Sequence, residues 1–207
     1  MHFTKTLLAS GIPLLAFCNH LKLKPLTISP PFHLLAIHST SPIHLQPINA
    51  RLGGFYIGER PETYCPLAPC PIVNQTGFIV ANGKSFLDVS VAGGQNLYVD
   101  PHGALSFTRA GSPGAIPEGA ATANFTYTPA IDDDDGPGSF MFSGPGADGF
   151  LACPSDGPTG IPYSVFANVT GLTDAIVPGG DVSACVGIAA AAFAYTYEDN
   201  VVAYGYD

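Results

Sequence analysis

The sequence predicts an all-β domain, an antiparallel β-sandwich or barrel, standing as a single domain after an N-terminal secretory leader. Three observations predict it. Short runs of β-branched and aromatic residues recur between Gly, Pro, Asn and Asp at close intervals, the punctuation of strands and tight turns. The 207 residues are 46% apolar and 11% charged, with 24 Gly and 20 Pro, too apolar for disorder and too poor in helix formers for a bundle. The stretch over residues 85–108 reads as three consecutive strands joined by turns of defined chemistry.

The leader comes first. Lys5 precedes an apolar run over residues 7–17 that is too short to span a bilayer, which is the pattern of a signal peptide over residues 1–18. Residues 19–33 hold Lys22, Lys24, Pro25, Pro30 and Pro31 in no period, and read as a linker, a propeptide or retained intron sequence. The all-β domain is then expected over residues 34–207. Its first strand is residues 55–58. In residues 85–91, Phe86, Asp88 and Ser90 alternate with Leu87, Val89 and Val91, giving one apolar and one mostly polar face. Ala92, Gly93, Gly94 and Gln95 supply a turn tolerant of positive φ, and residues 96–99 return. Asp100-Pro101-His102-Gly103 carries Asp, Pro and Gly at the first, second and fourth positions of a type I turn, and residues 104–108 follow as the third strand. Further strands are expected at residues 123–128, 139–143, 149–153, 163–169, 187–197 and 201–206. Alanine favours helix in the run 187–194, but the Tyr195 and Tyr197 tail favours strand, so it is read as a buried strand.

Beyond the leader four cysteines remain: Cys65, Cys70, Cys153 and Cys185. An even count in a secreted chain favours two disulfides, and four cysteines allow three pairings. Cys65 with Cys70 and Cys153 with Cys185 is preferred. Zinc is the competing use, but the spacing lacks a C-x-x-C knuckle. Three N-glycosylation sequons, at Asn74, Asn124 and Asn168, point independently to secretion.

Composition also excludes functions. Seven Lys plus Arg against sixteen Asp plus Glu give a net charge of -9, which excludes a basic nucleic-acid groove. No stretch reaches the length of a transmembrane helix. The nucleophile elbow G-x-S-x-G is absent. Beyond the leader the glutamates are Glu59, Glu62, Glu118 and Glu198, none in a setting that suggests the carboxylate pair of a glycosidase. Asp88, Asp100, Asp148 and Asp174 sit in turns or on polar strand faces, where turn bonding or solvation accounts for them. His38, His44 and His102 lack a paired carboxylate motif for a metal. Asp132, Asp133, Asp134 and Asp135 form a self-repelling loop with no Glu at EF-hand spacing; a weak calcium site of another kind is the alternative. No enzyme, cofactor or metal site is therefore expected. Sugar binding fits better, since flat aromatic faces stack on sugar rings. Trp is absent, but there are nine tyrosines: Tyr56, Tyr64, Tyr98, Tyr127, Tyr163, Tyr195, Tyr197, Tyr204 and Tyr206. Most are expected to be half-buried strand residues.

Several segments carry a resemblance. Ser41-Pro42-Ile43-His44-Leu45-Gln46-Pro47-Ile48-Asn49-Ala50, Thr63-Tyr64-Cys65-Pro66, Gly93-Gly94-Gln95-Asn96-Leu97-Tyr98-Val99-Asp100, Gly103-Ala104-Leu105-Ser106-Phe107-Thr108 and Gly149-Phe150-Leu151-Ala152-Cys153-Pro154 resemble the fungal cell wall protein PhiA family. Secreted proteins labelled IgE-binding belong with it. The resemblance spans residues 35–207. It implies a secreted, wall-associated glycoprotein of filamentous fungi linked with phialide and conidium development, and supplies no catalytic residues. The expected partners are cell-wall polysaccharide or wall proteins. From His38 onward four basic residues face sixteen acidic ones, a balance that attracts a cationic, chitosan-like polymer.

Overall fold

The apolar alternation written into the short runs becomes strands wherever an inward face can be buried. A computed structural model describes residues 27–131, 136–144, 146–155, 160–198 and 201–207. The expected leader lies outside these residues, as does most of the 19–33 segment. The strands are β1 (Phe32–Ile37), β2 (Ile48–Arg51), β3 (Gly54–Ile57), β4 (Thr63–Tyr64), β5 (Phe78–Ala81), β6 (Lys84–Leu87) and β7 (Gln95–Val99). They continue as β8 (Leu105–Phe107), β9 (Phe125–Thr128), β10 (Gly138–Phe142), β11 (Ala147–Pro154), β12 (Tyr163–Val169), β13 (Val186–Ala194) and β14 (Gly205–Tyr206). The only helical element among the described residues is a 3-10 turn at Val182–Ala184.

Pairing closes the sheet on itself. Antiparallel neighbours run β1-β5-β6-β7-β8-β3-β12-β11-β13, and β13 pairs back onto β1, from Phe32 opposite Ala194 to Ile37 opposite Ala189. The result is a single-domain antiparallel β-barrel, the second of the two architectures expected. Closure removes the unpaired edges that an open sheet would present. The β2 strand pairs β3, β9 and β10 form a hairpin that extends the sheet from β13, and β4 with β14 makes a separate two-stranded ribbon.

The meander β6-β7-β8 forms as the turn chemistry dictates. Asp100 Oδ1 accepts from the backbone N–H of His102 (2.8 Å) and of Ala104 (2.9 Å), and Gly103 takes φ +94°. The alanine run is strand, as read. Its small side chains oppose large ones: Ala190 sits opposite Phe140 and Ala194 opposite Phe32. Ring contacts run unbroken from Phe107 through Phe55, Phe78 and Phe32 to Phe140, Phe125 and Phe150, with centroids 5.4–5.9 Å apart. All of these rings are buried. Each contributes offset or tilted aromatic packing beyond its burial.

Three expectations are corrected. The linker over residues 19–33 gives way at its end to sheet: Ser29 N–H donates to Val80 O at 2.8 Å, and Phe32, fully buried, opens β1. The two prolines before Phe32 hide this, and Leu35 and Ile37 beside His33 blur the alternation with Phe32, Leu34 and Ala36. Asp88 does not lie on a solvated strand face. β6 ends at Leu87, and Asp88 turns inward, leaving it 6% exposed. The strand expected over residues 201–206 reduces to Gly205–Tyr206, preceded by a parallel bridge from Ala203 to Val89.

Two buried amides staple distant segments. Gln95, fully buried, donates through Nε2 to Thr108 O (2.7 Å) and Tyr206 O (2.8 Å), and accepts from Tyr206 N–H at 2.7 Å. Asn49 Nδ2 donates to Glu59 O, and its Oδ1 accepts from Thr76 N–H at 3.0 Å. The Thr76 hydroxyl in turn accepts from Ala50 N–H at 2.8 Å. Both amides satisfy backbone groups that would otherwise be buried unpaired.

Candidate ligand-binding surface

With the interior filled by phenylalanine, what the barrel offers a partner is its outer surface. The tyrosines divide accordingly. Tyr163 and Tyr206 are buried, Tyr56, Tyr98, Tyr127, Tyr195 and Tyr204 half-buried, and Tyr64 and Tyr197 exposed at 41% and 60%. Burial pushes the Tyr206 hydroxyl up to about 12, while the backbone N–H of Gly77 donates to it at 3.3 Å.

Tyr195 and Tyr197 follow β13 and reach back to Asp88. The Tyr195 hydroxyl donates to Asp88 Oδ2 at 2.6 Å and Tyr197 donates to Oδ1 at 3.4 Å. His33 stacks on Tyr195 with centroids 4.3 Å apart, and its Nδ1 donates to Thr76 O at 2.9 Å. Burial lowers the His33 pKa, an effect that outweighs the opposing pull of that hydrogen bond and of Asp88. Gly77 abuts this cluster: a Cβ there would lie 3.0 Å from Asp88 Cβ and collide with the Tyr195 hydroxyl. The arrangement clamps the exit of β13 against β1 and the segment before β5.

Tyr64 and Tyr204 meet elsewhere, at the β4–β14 ribbon, with ring centroids 5.9 Å apart and planes at 60°. The Cys65–Cys70 disulfide begins one residue later. Its loop and the residue after next expose Leu67 at 80% and Ile72 at 83%. Asp207 N–H donates to Glu62 O at 3.1 Å, so both carboxylate residues flank the ribbon. Arg51 Nε lies 3.8 Å from Glu62 and its Nη1 4.0 Å from Glu59. One of the four basic residues of the domain is thus already matched by acid.

Several clefts dent the barrel among the described residues, two of them of similar volume. One, about 450 Å³, lies between the Asp100–Gly103 turn and Gly146, Val169, Thr170 and Ile176. The other, about 440 Å³, separates residues 27–30 from Phe125, Tyr127 and Pro129. The first holds Asp100 and His102; the second is mostly apolar.

The cysteines pair as preferred, Cys65 with Cys70 and Cys153 with Cys185, which leaves none of the four for zinc. Cys153–Cys185 ties the end of β11 to the start of β13. Asn74, Asn124 and Asn168 all carry exposed side chains. His38 Nδ1 instead donates to Gly187 O, His102 lies in its turn, and among the described residues no group of three His, Cys, Asp or Glu could hold a metal. The aspartate run, Asp132 to Asp135, lies outside the described residues. No helix among the described residues is long and apolar enough to cross a membrane. What sequence reading missed was the Tyr64–Tyr204 contact. Its only signal was the Thr63-Tyr64-Cys65-Pro66 segment, and nothing local pairs that segment with the far end of the chain.

Comparison with known proteins gives two findings. Residues 32–206 match the family described as PhiA-like secreted protein. An uncharacterized secreted protein of Arthroderma benhamiae is 43% identical over 143 residues, covering 68% of this chain and 67% of that protein. No solved structure gives a significant match.

Proposed function

The chain belongs to the PhiA-like secreted protein family, and from that premise we propose that it works outside the cell as a non-catalytic, wall-associated glycoprotein of a filamentous fungus, by adhesion rather than turnover. The protein is secreted. The observation that carries the adhesive reading is the charge balance: four basic against sixteen acidic residues from His38 onward, with Arg51 already engaged by Glu59 and Glu62. Such a surface repels polyanions and attracts a cationic polysaccharide over a distance set by ionic strength. The phenylalanine-filled interior supports the same reading, because it confines contact to the outside. The family resemblance supports, as part of the same proposal, a place in forming phialides and conidia. Thinner conidial walls or reduced conidiation in a deletion strain would support that role, and an unaltered strain would refute it.

The test is a pull-down of the purified glycoprotein on chitin, chitosan, β-glucan and mannan, with released reducing sugar assayed in the same tubes. Retention on chitosan that falls steeply with added salt is expected. Retention on a neutral polymer unchanged by salt would replace charge attraction with sugar-specific recognition. Release of sugar would overturn the non-catalytic reading.

A further inference from the structure

We propose that the β4–β14 ribbon is the docking platform, and that Tyr64 and Tyr204 present their ring faces to the protonated pyranose units of an amino-sugar polymer. The proposal rests on the adhesive reading above and gives it a place.

The physical case has three parts. The first is the pair of rings. Tyr64 is the more exposed, and Tyr204 leans against it at 60°, so two differently tilted aromatic surfaces adjoin on one ribbon. Aromatic faces attract both the apolar C–H face of a sugar and a cation held above the ring. An amino sugar carries both features on one ring.

The second part is charge. Glu62 and Asp207 are joined through their backbones at the end of the same ribbon, and Asp207 is exposed. Arg51 sits against Glu59 and Glu62, so that cation is held by acid rather than offered to a ligand, while Arg60 is exposed four residues before Tyr64. A cationic polymer meets a domain in which sixteen acidic residues outnumber four basic ones from His38 onward, with exposed Asp207 at the ribbon, whereas an acidic peptide or phosphorylated surface meets repulsion. This complementarity selects the occupant.

The third is rigidity. Pro66 and Pro69 fix φ within the loop that the Cys65–Cys70 disulfide closes, and Pro71 fixes it just beyond. Leu67 is therefore held out in solvent by a loop with little freedom left to lose on binding, and Ile72 is exposed just after it. They add apolar contact at the margin of the rings. Tyr197, although more exposed, directs its hydroxyl to Asp88.

The experiment is isothermal titration of the full folded glycoprotein with a fully deacetylated glucosamine hexamer and, in parallel, its N-acetylated counterpart. The buffer is mildly acidic, so that the amines are charged. Binding of the deacetylated hexamer is expected, with roughly tenfold weakening in Tyr64→Ala and in Tyr204→Ala, the scale of a lost ring–cation contact. Tyr64→Phe should bind within about twofold of the parent, because the face rather than the hydroxyl makes the contact. Tyr98→Ala, on the barrel wall at β7, should leave affinity unchanged. A Leu67→Ser, Ile72→Ser double variant should weaken binding less than either ring removal; both side chains are exposed, so it tests the platform should Tyr204→Ala fail to fold. Unchanged binding by Tyr64→Ala would overturn the platform and leave the adhesive reading standing. Equal affinity for the N-acetylated hexamer would overturn the cationic specificity. No binding of either hexamer or of chitosan would overturn the adhesive reading and the platform together.

Discussion

Replacing Gln95 with Ala should detach the carboxyl end of the domain. The side chain is fully buried and makes three hydrogen bonds, two of them to the backbone of Tyr206 and one to Thr108 O. Alanine removes all three and strands one N–H and two carbonyls. At about 1 kcal/mol net for each bond the loss is about 3 kcal/mol, and more if the stranded groups stay dry. For a domain of this size that corresponds to a fall of about 6–12 °C in Tm. Equilibrium urea unfolding gives the total, and hydrogen exchange at the Tyr206 amide locates it. A second construction isolates the cause: deleting residues 205–207 removes the partner, so Gln95→Ala should cost much less in that background. A loss under about 1 kcal/mol in the full chain, or an equal loss in both backgrounds, would refute the view that the amide acts as a staple.

The remaining predictions follow from the same contacts. Tyr206 is held neutral in the fold to about pH 12, whereas in the unfolded chain it ionises near 10, so its contribution is complete below pH 10 and is lost as pH rises towards 12. Tyr206→Phe should flatten that alkaline limb in a pH series of unfolding midpoints; an unchanged slope would refute it. His33 works in the opposite range: its pKa is lowered by burial, so the stability it lends is present above its ordinary value and declines as pH falls below it. Among the disulfides, replacing Cys153 and Cys185 by Ser should cost roughly 4 kcal/mol against roughly 2 for Cys65 and Cys70, because the first closes a 32-residue separation and the second only 5. Denaturation of the two double variants checks the order. Asn74→Gln should remove one glycan mass and shift stability by under about 0.5 kcal/mol. Thr76→Ala removes the same sequon and also orphans Ala50 N–H, costing about 1–3 kcal/mol, with Thr76→Ser restoring both properties.

The fold was legible wherever the determining chemistry was local. The meander from β6 to β8 announced itself through alternation and through a turn whose Asp and Gly do what their side chains and φ preferences suggest. β13 was legible through Tyr195 and Tyr197, although its alanines argue for helix in isolation; they are small because Phe140 and Phe32 stand opposite. β1 was not legible, since Pro30 and Pro31 mimic a linker and Leu35 and Ile37, on the face of His33, blur the alternation of Phe32–Ile37. Asp88 was misplaced because its partners, Tyr195 and Tyr197, lie more than a hundred residues away. Gln95 looked like part of a turn for the same reason. The ring pair at Tyr64 and Tyr204 joins two segments that share no pattern, so the candidate platform emerges only in three dimensions.

The closing seam of the barrel sets a timetable for the chain that makes it. β1 cannot find β13 until nearly all of the polypeptide has been synthesised, because the two lie at opposite ends of the domain. Pairings of such long sequence separation form slowly. During elongation at roughly 5–20 residues per second, Asn74 therefore emerges many seconds before the barrel is able to shut. Thr76 ends up fully buried, its hydroxyl against Ala50 and its neighbour Gly77 bonded to Tyr206 near the end of the chain, so the packing around this sequon also waits for the last residues. Late closure thus gives the Asn74 sequon a window, and the mature fold withdraws it.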